Sequence, residues 1–219
     1  MMEHTITQLG VQKRNPQRIN VYLDGDYAFG LARIVAGWLK IGQILSDEQI
    51  IQLQTEDQYE SAYQRSLKFL SYRPRTQAEI RQNLKQHEIP DEVIDRIIER
   101  LAELSMVDDT AFTQTWIENR SAFRPRSRRA LSHELRQRGV DPQIIEQSLE
   151  TVDEQTLAYQ AASKQAGKYK DLDYQLFRQK MYGFLARRGF NYEVSAQIVP
   201  QIWDEIHNKD MKNGEEVDT

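Results

Sequence analysis

The 219-residue chain has no cysteine, which removes disulfides, thiolate zinc sites and thiol nucleophiles and fits a reducing compartment. Its four histidines (His4, His87, His133 and His207) stand far apart, and no HExxH, ExxH or Cys/His spacing offers a metal to share. GxGxxG and GxxxxGK(S/T) are missing, so no glycine-rich cradle for phosphate is announced, and no GxSxG elbow presents a nucleophile. Long apolar runs are missing too: the richest stretch, Phe29 to Leu45, is broken by Arg33 and Lys40 and is too short to cross a bilayer. The opening MMEHTIT lacks the basic and apolar regions of a signal peptide. These absences predict a soluble cytoplasmic protein with no membrane contact, no enzymatic activity, no cofactor, and no catalytic or metal-ligating residues. Asp24-Gly25-Asp26 reads as a turn, because its neighbours do not complete a calcium loop, and Asp108-Asp109 as helix capping.

What is present is modest in apolar content, 39%, and rich in charge, 28%, as expected when many helices each bury one stripe. The first thirty residues have the period of β structure. Ile19, Val21 and Leu23 alternate with Arg18, Asn20 and Tyr22, and beyond the turn Tyr27, Phe29 and Leu31 alternate with Ala28 and Gly30. A two-residue Asp-Gly loop would set Leu23 against Asp26 and split the apolar faces. A three-residue loop pairs Leu23 with Tyr27, Val21 with Phe29 and Ile19 with Leu31, and is the predicted register. Leu9 and Val11 suggest a third strand. A short helix is predicted near Ala32 to Leu39, ending around Gly42. A long polar helix follows from a capping box, Ser46 with Gln49, towards Tyr72.

The chain then repeats itself. YRPRT at 72–76 returns as FRPRS at 123–127, a shift of 51 that also lays Ile80 on Leu131, Leu84 on Leu135 and Val93-Ile94 on Ile144-Ile145. A further shift of 50 lays Leu131 on Met181, Leu135 on Leu185 and Arg138-Gly139 on Arg188-Gly189, although this third copy lacks Arg-Pro-Arg. Each unit parses as three helices. In the second, a helix from Asp109 carries Phe112, Trp116, Ile117 and Phe123 at core spacing and stops before Pro125. A helix from Ser127 closes at Gly139, and Asp141 with Pro142 opens the third. The fold class predicted is mainly α, built from tandem three-helix modules with a small N-terminal β-hairpin or sheet extension. The divisions are 1–45 for that extension and short helix, 46–61 for a linker helix, 62–108, 109–155 and 156–206 for the repeats, and 207–219 for an acidic disordered tail.

Within the pentapeptide, proline stops one helix and the hydroxyl caps the next, so both are architecture; the arginines are not needed for that. The whole chain is net −4, yet between Glu118 and Gly139 seven arginines stand against two glutamates. Arg128, Ser132 and Arg136, flanked by Arg129 and His133, share one helix face. That face is either a solvated surface or a set of guanidinium forks for phosphate or carboxylate. Trp116, Phe112 and Phe123 are expected in the core, with Trp203 continuing the apolar pattern of the last helix, which argues against a stacking platform for single strands.

With the repeat in view, the chain resembles the RecX family of bacterial regulators of the RecA recombinase over about residues 60 to 205. The marks are LSYRPRTxxEI at 70–80, IPDEVI at 89–94, LSMVDDTAFTQTWIENR at 104–120, LRQRGV at 135–140 and RRGF at 187–190. The family usually has glycine where Ser105 stands, and Glu88 replaces the glycine found at Gly139 and Gly189, which bears on local cap geometry. The resemblance implies an elongated, curved array of the modules. It also implies a monomer without cofactor that binds RecA and its filament on DNA and inhibits strand exchange, ATP hydrolysis and co-protease activity in DNA repair and the SOS response. The alternative is a module that binds DNA directly through the arginine-rich second repeat. Candidate residues for contact with RecA or DNA are Arg73, Arg75, Arg124, Arg126, Arg128, Arg129, Arg136, Arg138, Arg187 and Arg188.

Overall fold

A computed structural model describes residues 2–215. Four strands, β1 (Glu3–Gln12), β2 (Asn15–Leu23), β3 (Asp26–Ala32) and β4 (Ile44–Ser46), form an antiparallel sheet in the order β3-β2-β1-β4. The strand suggested by Leu9 and Val11 is β1, which is central rather than marginal. The three-residue β4 was too short to show a period of two.

The hairpin register corrects the sequence reading in one pair and agrees in two. Ile19 faces Leu31 and Val21 faces Phe29, but Leu23 faces Asp26, not Tyr27. Asp24 (φ 53°) and Gly25 (φ 101°) form a two-residue turn with both φ positive, the hand that matches strand twist. An irregularity just beyond, where Val21 opposite Phe29 gives way to Tyr22 opposite Tyr27, leaves Ala28 as the extra residue of a bulge. The short turn and continuous apolar faces are therefore compatible. Ile6, Val21, Leu31 and Leu45 from the sheet bury together with Leu39 and Leu53.

Beyond the sheet the chain is helical: α1 (Arg33–Ala36), α2 (Asp47–Leu70), α3 (Gln77–Lys85), α4 (Asp91–Glu103), α5 (Asp109–Phe123), α6 (Arg128–Gln137), α7 (Pro142–Glu150), α8 (Glu154–Ala166), α9 (Tyr174–Arg187) and α10 (Tyr192–Glu215). The helix expected from Ala32 to Leu39 shrinks to one turn, because Gly37 follows it and glycine propagates a helix poorly. The capping box forms as read: Ser46 Oγ accepts from the Gln49 amide at 3.3 Å and Gln49 Oε1 from the Ser46 amide at 2.9 Å. α2 then runs unbroken from the sheet into the first three-helix module. The Arg18 guanidinium holds Asp57 of α2 at 2.8 Å, and the same carboxylate accepts from the Ala32 amide, tying sheet to helix. The tail expected from residue 207 is helical to Glu215 in α10, and residues 216–219 lie outside those described.

The chain divides into two compact units. The first holds residues up to Arg75 together with Glu79–Val107, and contains the sheet core and a second core of Ala62, Tyr63, Ile80, Leu84, Ile94, Ile97 and Leu101 among others. The second holds Thr76–Ala78 and the chain from Asp108 onward, where the second and third modules share one core. Leu131, Leu135, Ile145 and Leu149 from one meet Leu157, Phe177, Met181 and Leu185 from the other. The described residues contain no helix long and apolar enough to cross a membrane.

Candidate functional site

The two Arg-Pro-Arg segments share a scaffold. Both hydroxyls are fully buried, Thr76 and Ser127 at 0% exposure. Ser127 Oγ accepts from the Ala130 amide at 3.1 Å, the capping role read from sequence. Each segment is also gripped by an Arg-Gly turn far along the chain. Thr76 Oγ1 donates to the Arg138 carbonyl at 2.7 Å, and the Ser127 amide donates to the Arg188 carbonyl at 3.1 Å. At those turns Gly139 has φ 73° and Gly189 φ 90°, and a Cβ on them would lie 2.3 Å from Ala78 Cβ and 2.4 Å from Ser127 Oγ respectively. Glycine is required twice over, for its backbone and for close approach. Sequence reasoning found the left-handed cap but missed the close approach.

The arginines separate into those that hold the fold and those that do not. Arg73 forks onto both oxygens of Glu79, at 2.7 and 3.2 Å. The Arg75 guanidinium lies 3.9 Å from the centre of the Phe69 ring. Arg126 pairs with Glu134 at 2.9 Å. Arg128, expected on the free face, donates through Nε to the Val152 carbonyl at 2.6 Å and so satisfies backbone just beyond the α7 C-terminus. Arg138 lies 4.1 Å above the Trp116 ring. Arg188 approaches the Pro125 carbonyl at 3.4 Å and the Phe184 ring at 5.0 Å.

Arg124, Arg129, Arg136 and Arg187 are exposed, and their side chains make no hydrogen bond or ion pair among the described residues. Arg129 and His133 border an open cleft of about 960 Å³ with Glu154 and Asn191.

Two expectations about the aromatics are overturned. Phe123 is 77% exposed, and its counterpart Tyr72 71%. Phe123 does share a face with Phe112, but α5 outruns its core by a turn before Pro125 stops it. Trp116, half-buried, does lie among charges, with Arg120 at 4.5 Å and Arg138 at 4.1 Å from its ring. Its indole N–H donates to Glu134 at 2.9 Å. Trp203 behaves as read, packing edge-on against Phe177 at 5.0 Å.

Among the described residues no three His, Cys, Asp or Glu side chains are grouped as metal ligands. His4 is held between carboxylates, with Nδ1 2.7 Å from Asp24 and Nε2 3.5 Å from Asp47. Its hydrogen bond to Asp24 raises the imidazole pKa above the ordinary value. The Asp24 carboxyl is lowered, first by the Thr5 amide and then by His4.

Comparison with known proteins gives a consistent match along the chain. Residues 4–46 match the profile described as the regulatory protein RecX N-terminal domain, and 62–101, 108–149 and 153–199 match the first, second and third RecX three-helix domains. The regulatory protein RecX of Bacillus velezensis is 34% identical over 213 residues, covering 94% of this chain and 79% of that protein. That of Bacillus subtilis is 31% identical over 202 residues, covering 90% and 76%. A crystal structure of regulatory protein RecX superposes with a TM-score of 0.67 at 30% identity, covering 89% of this chain and 98% of that one. RecX from Lactobacillus salivarius shares the fold, with a TM-score of 0.60 at 23% identity over 67% of this chain and 97% of the other.

Proposed function

Because the chain belongs to the RecX family of regulatory proteins, we propose that it acts without catalysis, by binding RecA and its filament on DNA. Binding restrains strand exchange, ATP hydrolysis and co-protease activity, in the cytoplasm and in the service of DNA repair. The observation that carries this reading is the unbroken order of all four family segments from residue 4 to 199. Its surface counterpart is the set Arg124, Arg129, Arg136 and Arg187, whose guanidiniums remain unspent by the fold and are available to an anionic partner surface. Repeated modules suit a repeating target, since weak contacts to successive subunits add as avidity. No cofactor enters this mode of action. The test is RecA's DNA-dependent ATPase and strand exchange with the purified chain in stoichiometric excess. Inhibition is expected, and undiminished rates of both would refute the reading.

A direct DNA-binding role is favoured by one observation, the exposed Phe123 ring next to exposed Arg124. An exposed ring beside a cation suits base stacking over a backbone contact. That reading predicts affinity for DNA without RecA that falls steeply as salt rises, and negligible binding at low salt would dismiss it.

A further inference from the structure

The two copies of the Arg-Pro-Arg motif differ by one carboxylate. In the first, Glu79 takes both hydrogen bonds of the Arg73 fork. The 51-residue shift carries Glu79 onto Ala130, so the second copy has no such group. Arg124, the counterpart of Arg73, accordingly has no ion pair among the described residues.

Two more guanidiniums crowd the same place. Arg126 Nε is buried without an acceptor among the described residues. Arg188 meets the Pro125 carbonyl only at 3.4 Å. Burial, with Arg126 and Arg124 close by, pushes the Arg188 guanidinium below its ordinary range. The carboxylate that pairs with Arg126 is already shared: Glu134 Oε1 is taken by Arg126 at 2.9 Å, and Oε2 by Arg120 at 2.8 Å and Trp116 at 2.9 Å. Arg120 and Arg126 therefore share Glu134, while Arg124 and Arg188, close to Arg126, have no carboxylate partner among the described residues.

We propose that Arg124, Arg126 and Arg188 form a docking site for an acidic segment of a protein partner, whose carboxylate occupies the place that Glu79 fills in the first copy. This deepens the reading above and rests on it for the partner being a protein. The choice of carboxylate over nucleic-acid phosphate follows from scale and charge. Affinity for a polyphosphate grows with the number of phosphates neutralised along a track. Here a compact cluster sits on a chain of net charge −4, which suits one planar group held by guanidinium forks.

The test uses the full-length chain, isotopically labelled, titrated with hexaglutamate and separately with hexathymidylate while the arginine Nε–Hε resonances are followed. Hexaglutamate is expected to shift Arg124, Arg126 and Arg188 saturably, with affinity about tenfold weaker in Arg124→Ala. Ala130→Glu, which restores the first copy's carboxylate, is expected to occupy Arg124 internally and block the titration. Should that variant lose its helical signal, Arg124→Ala alone decides. Absence of a shift, or an unchanged affinity in Arg124→Ala, overturns the proposal. So does hexathymidylate acting on the same resonances at lower concentration, which would assign the site to phosphate. RecA is absent from this experiment, so failure of the site and failure of the regulatory reading are seen separately.

Discussion

The turn after α3 and the turns after α6 and α9 are the same bend with different residues. Glu88 stands at φ 58°, Gly139 at 73° and Gly189 at 90°. All three are left-handed, yet only the last two are glycine. Glu88 is exposed, whereas Gly139 and Gly189 each lie so close to another segment that a methyl group would collide. The comparison separates two demands that a glycine at a helix end usually merges. A left-handed backbone alone is a strain an ordinary side chain can bear, at about 1–2 kcal/mol, but close approach of another chain segment is not. The same contrast runs through the arginines: where the first copy carries Glu79, Arg73 is structural, and where the second carries Ala130, Arg124 has no ion pair among the described residues.

The most forceful way to break the comparison is to put a methyl group on each turn. Gly189→Ala is expected to lower unfolding stability by about 3 kcal/mol or more, from backbone strain and overpacking together, and Gly139→Ala comparably. Glu88→Ala should change it by less than about 0.5 kcal/mol. Denaturant unfolding of the three variants checks this, and equal losses at all three positions would erase the distinction. The arginine contrast comes next. Replacing Arg124, Arg129, Arg136 and Arg187 by alanine together is expected to weaken RecA inhibition about tenfold while the melting temperature stays within about 2 °C. Arg73→Ala should leave inhibition alone and cost stability of about 1 kcal/mol or less, since the pair is partly exposed. A half-inhibition concentration and a melting curve for each variant suffice.

A smaller effect sharpens the first comparison from the other side. Glu88→Gly is expected to stabilise the chain by about 1 kcal/mol, because it removes left-handed strain without touching a contact. Calorimetry showing a loss would mean that the Glu88 side chain contributes more than its conformation costs. The smallest effect concerns the sheet. His4 is raised by Asp24, so its contribution is complete below the unfolded imidazole value near 6.5 and fades as pH rises through the higher folded value. Asp24 is lowered, so its contribution is present above the unfolded carboxyl value and fades as pH falls through the folded one. Wild-type stability relative to His4→Gln should therefore decline as pH climbs past neutrality, read from melting temperatures across pH 5 to 9.

Much of this architecture was legible in the sequence because it is local or periodic. Ser46 and Gln49 are three residues apart, and Leu131 with Leu135 is one helical turn. The self-match of the chain at 51 and 50 residues marks the modules from sequence alone. What escaped reading depends on distant partners. Thr76 and Arg138 are 62 residues apart, and no pattern near either predicts their hydrogen bond. Phe123 keeps the helical face of Phe112, which predicts a core position, but spacing does not say where the core ends. Arg128 sits on the predicted face and still bends back to the Val152 carbonyl. For the candidate site, the sequence offers ten arginines as one group, and the placement of their counter-charges divides them into those engaged within the fold and those with no ion pair among the described residues.

The bulge at Ala28 has a consequence for life in a crowded cell. β3 is an edge of the sheet, and an edge of seven residues is a ready template for another unpaired strand. An extra residue near its beginning spoils the even spacing of amides and carbonyls that a newcomer would have to match, and coils the edge away from a flat approach. The residue that reconciles a tight turn with an apolar face is thus expected to discourage edge-to-edge pairing between nascent copies as well. Deleting Ala28 would be expected to show up first as loss of solubility during synthesis.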